Sequence, residues 1–429
     1  MRPVTLIALA ALAAGLAQSP IAIEPASAAS VLIRNATVHT MAARGVLAGA
    51  DVLITDGRIA ALGDDIQAPE GAEVIDAAGR PVTPGFFGGV GHLGVEEIGL
   101  EPSEGDYALS LGEMRPEFDV TLAFNPDSTA IGVNRIGGVT FAVLAPSAEA
   151  GSKDRPGGTV IAGQGAVVTL DGTAVPGTNA LFVDLGGEAN ALSGGSRAAQ
   201  FMLLKQAFME ARSPDEVLMH DERLLTPLGR QALLELAGRP SPFVFDVDRA
   251  ADIRQAVAFA RREKLRAVIA GGAEAWRVAG ELAAAGIPVI LDPLDNLPSS
   301  FDKVGATLEN AARLHQAGVT IGFSFRDPQA HNVRKLRQAA GNAVAHGLPQ
   351  DAALAALTRN PAAIFGVADR VGMLEVGRPA DLVLWSGDPL EVTTLAERVF
   401  VGGHAVPMRS RQTELRDRYL ERLRRGAAR

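Results

Sequence analysis

The sequence predicts an α/β fold: a (β/α)8 TIM-like barrel inserted in a small β-sandwich built from both chain ends. Three observations carry that expectation. The chain has 429 residues, enough for one large barrel plus a small accessory unit. Runs with the period-two alternation of strands sit near both ends, and each group is too short to close a core alone. Between them strand-like runs alternate with helix-like runs, as a parallel barrel demands. Hydrophobic residues make up 47% of the chain and aromatics only 5%, so the core is expected to be mostly Val, Leu, Ile and Ala.

In chain order, the N-terminus comes first. Arg2 is the only charge before Glu24, and 6–16 is an apolar run of signal-peptide length. Ala26-Ser27-Ala28 then offers a small-residue cleavage site. Residues 1–29 therefore read as a cleaved signal peptide and the mature chain as periplasmic. An uncleaved anchor is the competing reading, and Pro20 with its small neighbours argues against it. The absence of cysteine suits export, because no thiol can scramble. A net charge of −9 disfavours a general nucleic-acid binder, which would show a basic face. No membrane contact is expected after cleavage.

Residues 31–40 alternate as a strand, and 51–63 form a hairpin around Asp56-Gly57, a pair suited to positive φ. The missing partners appear at 372–390 and 398–407. Residues 30–83 with 367–408 are thus expected to form one composite β-sandwich, and 84–366 the barrel. Barrel strands are expected at 86–93, 139–144, 159–168, 181–185, 242–247, 267–270, 288–291 and 319–324. Helices are expected at 196–212, 225–236, 250–263, 273–285, 306–316 and 330–346. The acidic stretch 96–119 would cover the barrel mouth. Residues 409–429 carry eight Arg against three acids, with Leu415, Tyr419 and Leu423 four apart. That segment reads as a basic terminal helix docked on the sandwich, with a partner or an anionic surface as the alternative.

Two stretches carry a family resemblance. Residues 82–94, VTPGFFGGVGHLG, resemble the first barrel strand of the amidohydrolase superfamily, V-x-P-G-[FL]-[IV]-D-x-H-x-H. Further on, TRNPAAIFGVADRVGMLEVGRPADLVLW resembles the superfamily's T-x-N-P-A … G-x-x-A-D-[LI]-V segment. The likeness covers roughly 31–408 and is nearest in flavour to imidazolonepropionase-like, exported members. It implies the barrel, a metal-assisted hydrolase acting on non-peptide C–N bonds, and one or two divalent ions at the C-terminal ends of the strands.

The resemblance assigns the metal places one at a time. His92 stands in the second histidine place of strand 1, with Val90 in the first and Gly88 in the aspartate place. Strand 5 reads PFVFDVDRAADIR, which puts Asp246 and Asp248 where two histidines are usual. Strand 6 puts Gly271 at its histidine. Strand 8, GVTIGFSFRDP, puts Phe325 at or next to the aspartate, with Asp327 two residues on. Val and Gly have no side-chain lone pair, so the usual binuclear centre is not rebuilt.

What remains is a degenerate set. Asp246 and Asp248 lie two apart and share one strand face. With His92 they are the candidate ligands for a single divalent ion (Zn, Mn or Fe), the alternative being no cofactor at all. Asp246 and Asp327 are candidate catalytic residues, and the close carboxylates Asp246 and Asp248 could alternatively share a proton as an acid/base pair. Arg249, Arg326 and His331 are candidate substrate contacts. A plainer reading stays open: Asp246 pairs with Arg249 or Arg326 as a polar plug. His220-Asp221 is a further candidate pair, while His39, His315, His346 and His404 read as structural. Residues 151–170 contain G-x-G, but no helix opens after it, which excludes a phosphate loop. The lack of a G-x-S-x-G elbow and of cysteine excludes those nucleophiles.

Two functions follow. One is an exported hydrolase of small amides, cyclic imides or dipeptide-like compounds. The other is a non-catalytic pseudoenzyme that binds a ligand or supports an active paralogue. The partners expected are a small molecule and a homo-oligomer or paralogue heteromer.

Overall fold

The computed structural model of the chain describes residues 30–97, 105–109, 111, 114–149, 159–213, 223–326 and 329–427. The expected signal peptide, Asp327 and His220-Asp221 lie outside those residues, as do parts of 96–119 and 151–170.

The chain starts with five strands, β1 (Val31–His39), β2 (Val46–Thr55), β3 (Arg58–Gly63), β4 (Glu73–Asp76) and β5 (Pro81–Pro84). The β2–β3 turn is Asp56-Gly57, both at positive φ (49° and 75°), as a type I′ hairpin requires. β1 shifts register between Ile33 and Ala36, around Asn35 at φ 53°. That kink lets its first half pair with β4 and its second half with β5.

Barrel strands follow: β6 (Phe86–Gly91), β7 (Val139–Leu144), β8 (Ile161–Gly165) continued by β9 (Val167–Thr169), then a short β10 (Thr173–Ala174). After these come β11 (Ala180–Asp184), β12 (Pro242–Val247), β13 (Arg266–Gly271), β14 (Val289–Leu291) and β15 (Ile321–Phe323). The interspersed helices are α1 (Thr129–Arg135), α2 (Arg197–Arg212), α3 (Pro227–Ala237), α4 (Ala250–Glu263), α5 (Ala279–Ala285), α6 (Asn310–Gln316), α7 (Leu336–Ala345), α8 (Gln350–Ala356) and α9 (Arg359–Ile364). The eight expected strand segments are all occupied.

One of them departs from a parallel barrel. β9 runs antiparallel to β7, and β8 antiparallel to β11. A parallel neighbour needs a crossover of a dozen or more residues, usually a helix. The Asp171-Gly172 turn and the short link to β11 allow only a reversal. The ring closes between β15 and β6 through a side chain: Ser324 Oγ accepts from Val90 N (3.0 Å) and donates to Val90 O (3.1 Å). Gly89 (φ +84°) leaves room for it, because a Cβ there would lie 2.8 Å from Ser324 Oγ.

Period-two alternation sorts the barrel residues. Phe87, Phe141, Phe182, Val244, Val268 and Ile290 form one buried cluster inside the ring, closed from below by Phe365. Their neighbours Leu181, Phe243, Phe245 and Ile269 pack outward under the helices. One pleat further along the same inward faces come Asp184, Asp246 and Asp292. The polar mouth is thus built directly on the apolar layer.

The chain then returns to the first sheet with β16 (Leu382–Trp385), β17 (Ala396–Val401) and β18 (His404–Ala405), β16 pairing antiparallel with β5. The joint to the barrel is buried: Trp385 stacks on Phe86 (centroids 5.0 Å apart) and donates its Nε1–H to Thr83 Oγ1 (2.9 Å). α10 (Arg411–Ala427) ends the described chain. Only its start packs, near α1, and residues 416–425 are exposed, so the expected docking on the sandwich does not occur.

Candidate functional site at the barrel mouth

Strands β11 and β12 are parallel neighbours in a register that sets Asp184 beside Asp246. Both carboxylates therefore emerge together at the C-terminal strand ends, where barrel sites are built. Asp248 follows two residues on and is only 5% exposed. Its Oδ1 accepts from Ala273 N (3.1 Å).

Into this group reaches Arg326. Its Nη1 lies 2.5 Å from Asp246 Oδ1, an ionic contact without hydrogen-bond alignment, and its Nη2 lies 3.0 Å from Asp248 Oδ2. Glu188 stands further out at 3.7 Å. The arginine is held by its own backbone, whose N–H donates to Asp292 Oδ2 (3.0 Å). Gly271 makes the space: a Cβ there would fall 2.0 Å from Arg326 Nη1 and 2.8 Å from Asp248 Oδ1. Its φ of +77° also disfavours any side chain. The guanidinium thus fills the room that the resemblance reserves for the strand-6 histidine. Counted from Gly318, the motif's aspartate place is Arg326 itself, one residue off the expected register.

One guanidinium serves several carboxylates, and the titrations reflect it. Burial, then Asp246, pushes Asp184 up to about 7, against one hydrogen bond from Ala148 N–H (3.1 Å). Burial pushes Asp248 up to about 6, with Arg326 opposing and Asp246 adding to the rise. For Arg326 burial acts downward, but Asp246, Asp248, Glu188 and Asp184 outweigh it, so it stays charged. Lys303, 7% exposed, adds a second cation, 2.9 Å from Asp295 and 3.7 Å from Asp248. Ser147, Asp184, Glu188, Leu192, Asp246 and Arg326 line a cleft of about 380 Å³ above the cluster.

His92 lies flat on Tyr107, with centroids 3.7 Å apart and planes 5° from parallel, and its Nε2 meets Ser147 Oγ at 3.1 Å. Burial lowers its pKa to about 4, so the ring is neutral near pH 7. Arg249 does not reach the cleft: it forks onto Asp252 (2.9 and 2.7 Å) at the start of α4. His331 is exposed on a 3-10 turn and is not brought to the cleft.

These donors do not fit a divalent ion. Such an ion needs several lone pairs at about 2.0–2.6 Å. The space between Asp246 and Asp248 holds a cationic guanidinium, and His92 Nε2 is engaged by Ser147. Among the described residues, no three His, Cys, Asp or Glu side chains are placed to hold a metal. The expected ligand set His92, Asp246 and Asp248 is therefore not assembled as one.

Sequence reasoning missed Asp184, Glu188, Asp292, Asp295 and Lys303. A signal for the first existed: LFVD and FVFD are both buried strands ending in aspartate.

Comparison with known proteins agrees with the architecture. The amidohydrolase family model matches residues 263–406. A solved amidohydrolase from Thermotoga maritima is 27% identical, with a TM-score of 0.77 over 88% of this chain and 100% of that one. The chain is thus similar to amidohydrolase-superfamily proteins in its C-terminal third and in its fold. An amidohydrolase from Hapsidospora irregularis is 31% identical over 26% of this chain and 11% of its own length. A 5-methylthioadenosine/S-adenosylhomocysteine deaminase from Desulforudis audaxviator is 34% identical over 24% of this chain and 25% of its own length. The chain thus spans a quarter or less of these curated relatives.

Proposed function

We propose that this chain keeps a mouth for small C–N compounds, such as amides, cyclic imides or dipeptide-like molecules, and has lost metal-assisted hydrolysis. It acts, on this reading, as a ligand-binding protein or as the partner of an active paralogue, exported to the periplasm. One observation carries the proposal: Arg326 sits between Asp246 and Asp248 in the space left by Gly271. A cation fixed there by the protein repels a metal ion and already neutralises the carboxylates that would hold it.

A second reading has its own support. Asp184, held near neutrality beside Asp246, matches what a metal-free acid/base pair requires. The test is a panel of small amides and cyclic imides incubated with the purified chain, with Zn²⁺ or Mn²⁺ and with chelator. The expected outcome is ligand-dependent thermal stabilisation without turnover. Turnover abolished by chelator would overturn the proposal. Turnover that survives chelator and is lost in Asp184→Asn would establish the second reading in its place.

A further inference from the structure

The terminal helix α10 is independent of the mouth. Ser410 and Thr413 fix its start: Ser410 N–H donates to Thr413 Oγ1 (2.8 Å) and Thr413 N–H to Ser410 Oγ (3.4 Å). Beyond that cap it stands free. Tyr419, Leu420 and Leu423 are 53%, 43% and 69% exposed on a helix about 25 Å long at 1.5 Å per residue.

Its side chains are sorted around the axis. At about 100° per residue, Leu415, Tyr419 and Leu423 form one line. Glu414, Asp417 and Glu421 fall on the opposite side. Arg418 and Arg422 lie on one flank between these faces. Arg416, paired with Asp417 (2.7 Å), lies on the other, while Arg424 falls among the carboxylates. Arg418 and Arg422 each lie 5.7 Å from the Tyr419 ring centroid, so their charges border the apolar line.

We propose that α10 lies on an anionic phospholipid surface, its Leu415–Tyr419–Leu423 line among the acyl chains and its flanking arginines at the phosphates. Charge complementarity chooses this occupant. Arginines beside the apolar line reach phosphate by snorkelling, while the carboxylates point to water. A second copy fits less well. A coiled-coil seam alternates steps of three and four, and this line steps only by four. The helix rests on the surface and does not span, since among the described residues no helix is long and apolar enough to cross a membrane. The proposal runs counter to the expectation of no membrane contact after cleavage.

The test is co-sedimentation of the chain from Ser30 onward, the form export would leave, with phosphatidylglycerol/phosphatidylethanolamine vesicles and with phosphatidylcholine vesicles. Binding is expected only to the anionic vesicles and should weaken with salt. Arg418→Gln with Arg422→Gln should weaken it roughly tenfold. Tyr419→Glu with Leu423→Glu should abolish it. Both variants should retain the wild-type melting temperature, since the altered side chains touch only their own helix. Absence of binding to anionic vesicles, or binding equal in both variants, would overturn the proposal. So would a wild-type dimer in solution that both variants dissolve, with no vesicle binding.

Discussion

Two aspartates, Asp381 buried and Asp184 half-buried, mark opposite ends of the barrel and are held in different ways. Asp381, at the joint with the composite sheet, accepts from Thr140 Oγ1 (2.7 Å), and burial pushes it up to about 7. Asp184, at the mouth, is also pushed up to about 7 by burial, but its next neighbour is another carboxylate, Asp246. The joint settles a lone acid with neutral hydrogen bonds, whereas the mouth crowds acids around one guanidinium. The joint reads as scaffold. The mouth is a cluster of carboxylates with its cation built in.

The largest expected effect separates the two ends. Arg326→Met leaves Asp246 without its cation and buried Asp248 with only Lys303 at 3.7 Å, and should cost about 3–5 kcal/mol in urea unfolding. Thr140→Val removes one neutral donor and should cost about 1–3 kcal/mol. The reverse order would break the comparison.

The pH dependence tests the joint by difference, because Asp184 and Asp248 at the mouth are raised over the same range. Asp381 has a folded pKa of about 7 against an ordinary 3.8, so the native state binds the extra proton. Its contribution is complete below the unfolded pKa and is lost as pH rises through about 7. Stability should fall between those values by up to about 1.4 kcal/mol per pH unit. Asp381→Asn should reduce the slope by that share, leaving the part due to Asp184 and Asp248, and an unchanged slope would mean that the carboxyl is not held neutral.

Gly271→Ala sharpens the picture of the mouth. At φ +77°, with a Cβ 2.0 Å from Arg326 Nη1, it should destabilise by roughly 1–3 kcal/mol. In Arg326→Ala the same change should cost less, because the clash is gone while the backbone strain remains. Equal costs in both backgrounds would mean that Gly271 serves only the turn. The smallest effect is expected at His92. His92→Gln removes a stacked ring and one hydrogen bond to Ser147, worth about 1 kcal/mol. It should leave ligand-dependent stabilisation in place, where loss of a metal ligand would remove it.

The fold was legible because its signals are local. Alternation marked β1 to β3, Asp56-Gly57 marked their turn, and the VTPGF and GRPADLVLW segments marked the joint between sheet and barrel. The inverted third strand was not legible, because strand direction depends on connection length and not on the strand's own pattern. The site was half legible. Asp246 and Asp248 follow from their spacing, but Arg326 comes from the eighth strand, and only the folded ring brings it to the fifth. Gly271 read as a missing ligand; its use, making room for a guanidinium, becomes visible only when both side chains are in place. The terminal helix was recognisable from its stripe, but its exposure was not, since a stripe alone does not say what it faces.

Metal analysis of the purified chain, followed by titration with Zn²⁺ and Mn²⁺ while melting is monitored, probes the mouth most directly. With Arg326 in the ion's place, substoichiometric metal and no shift in melting temperature are expected. A near-stoichiometric ion that is lost in His92→Ala or Asp246→Asn would contradict the account.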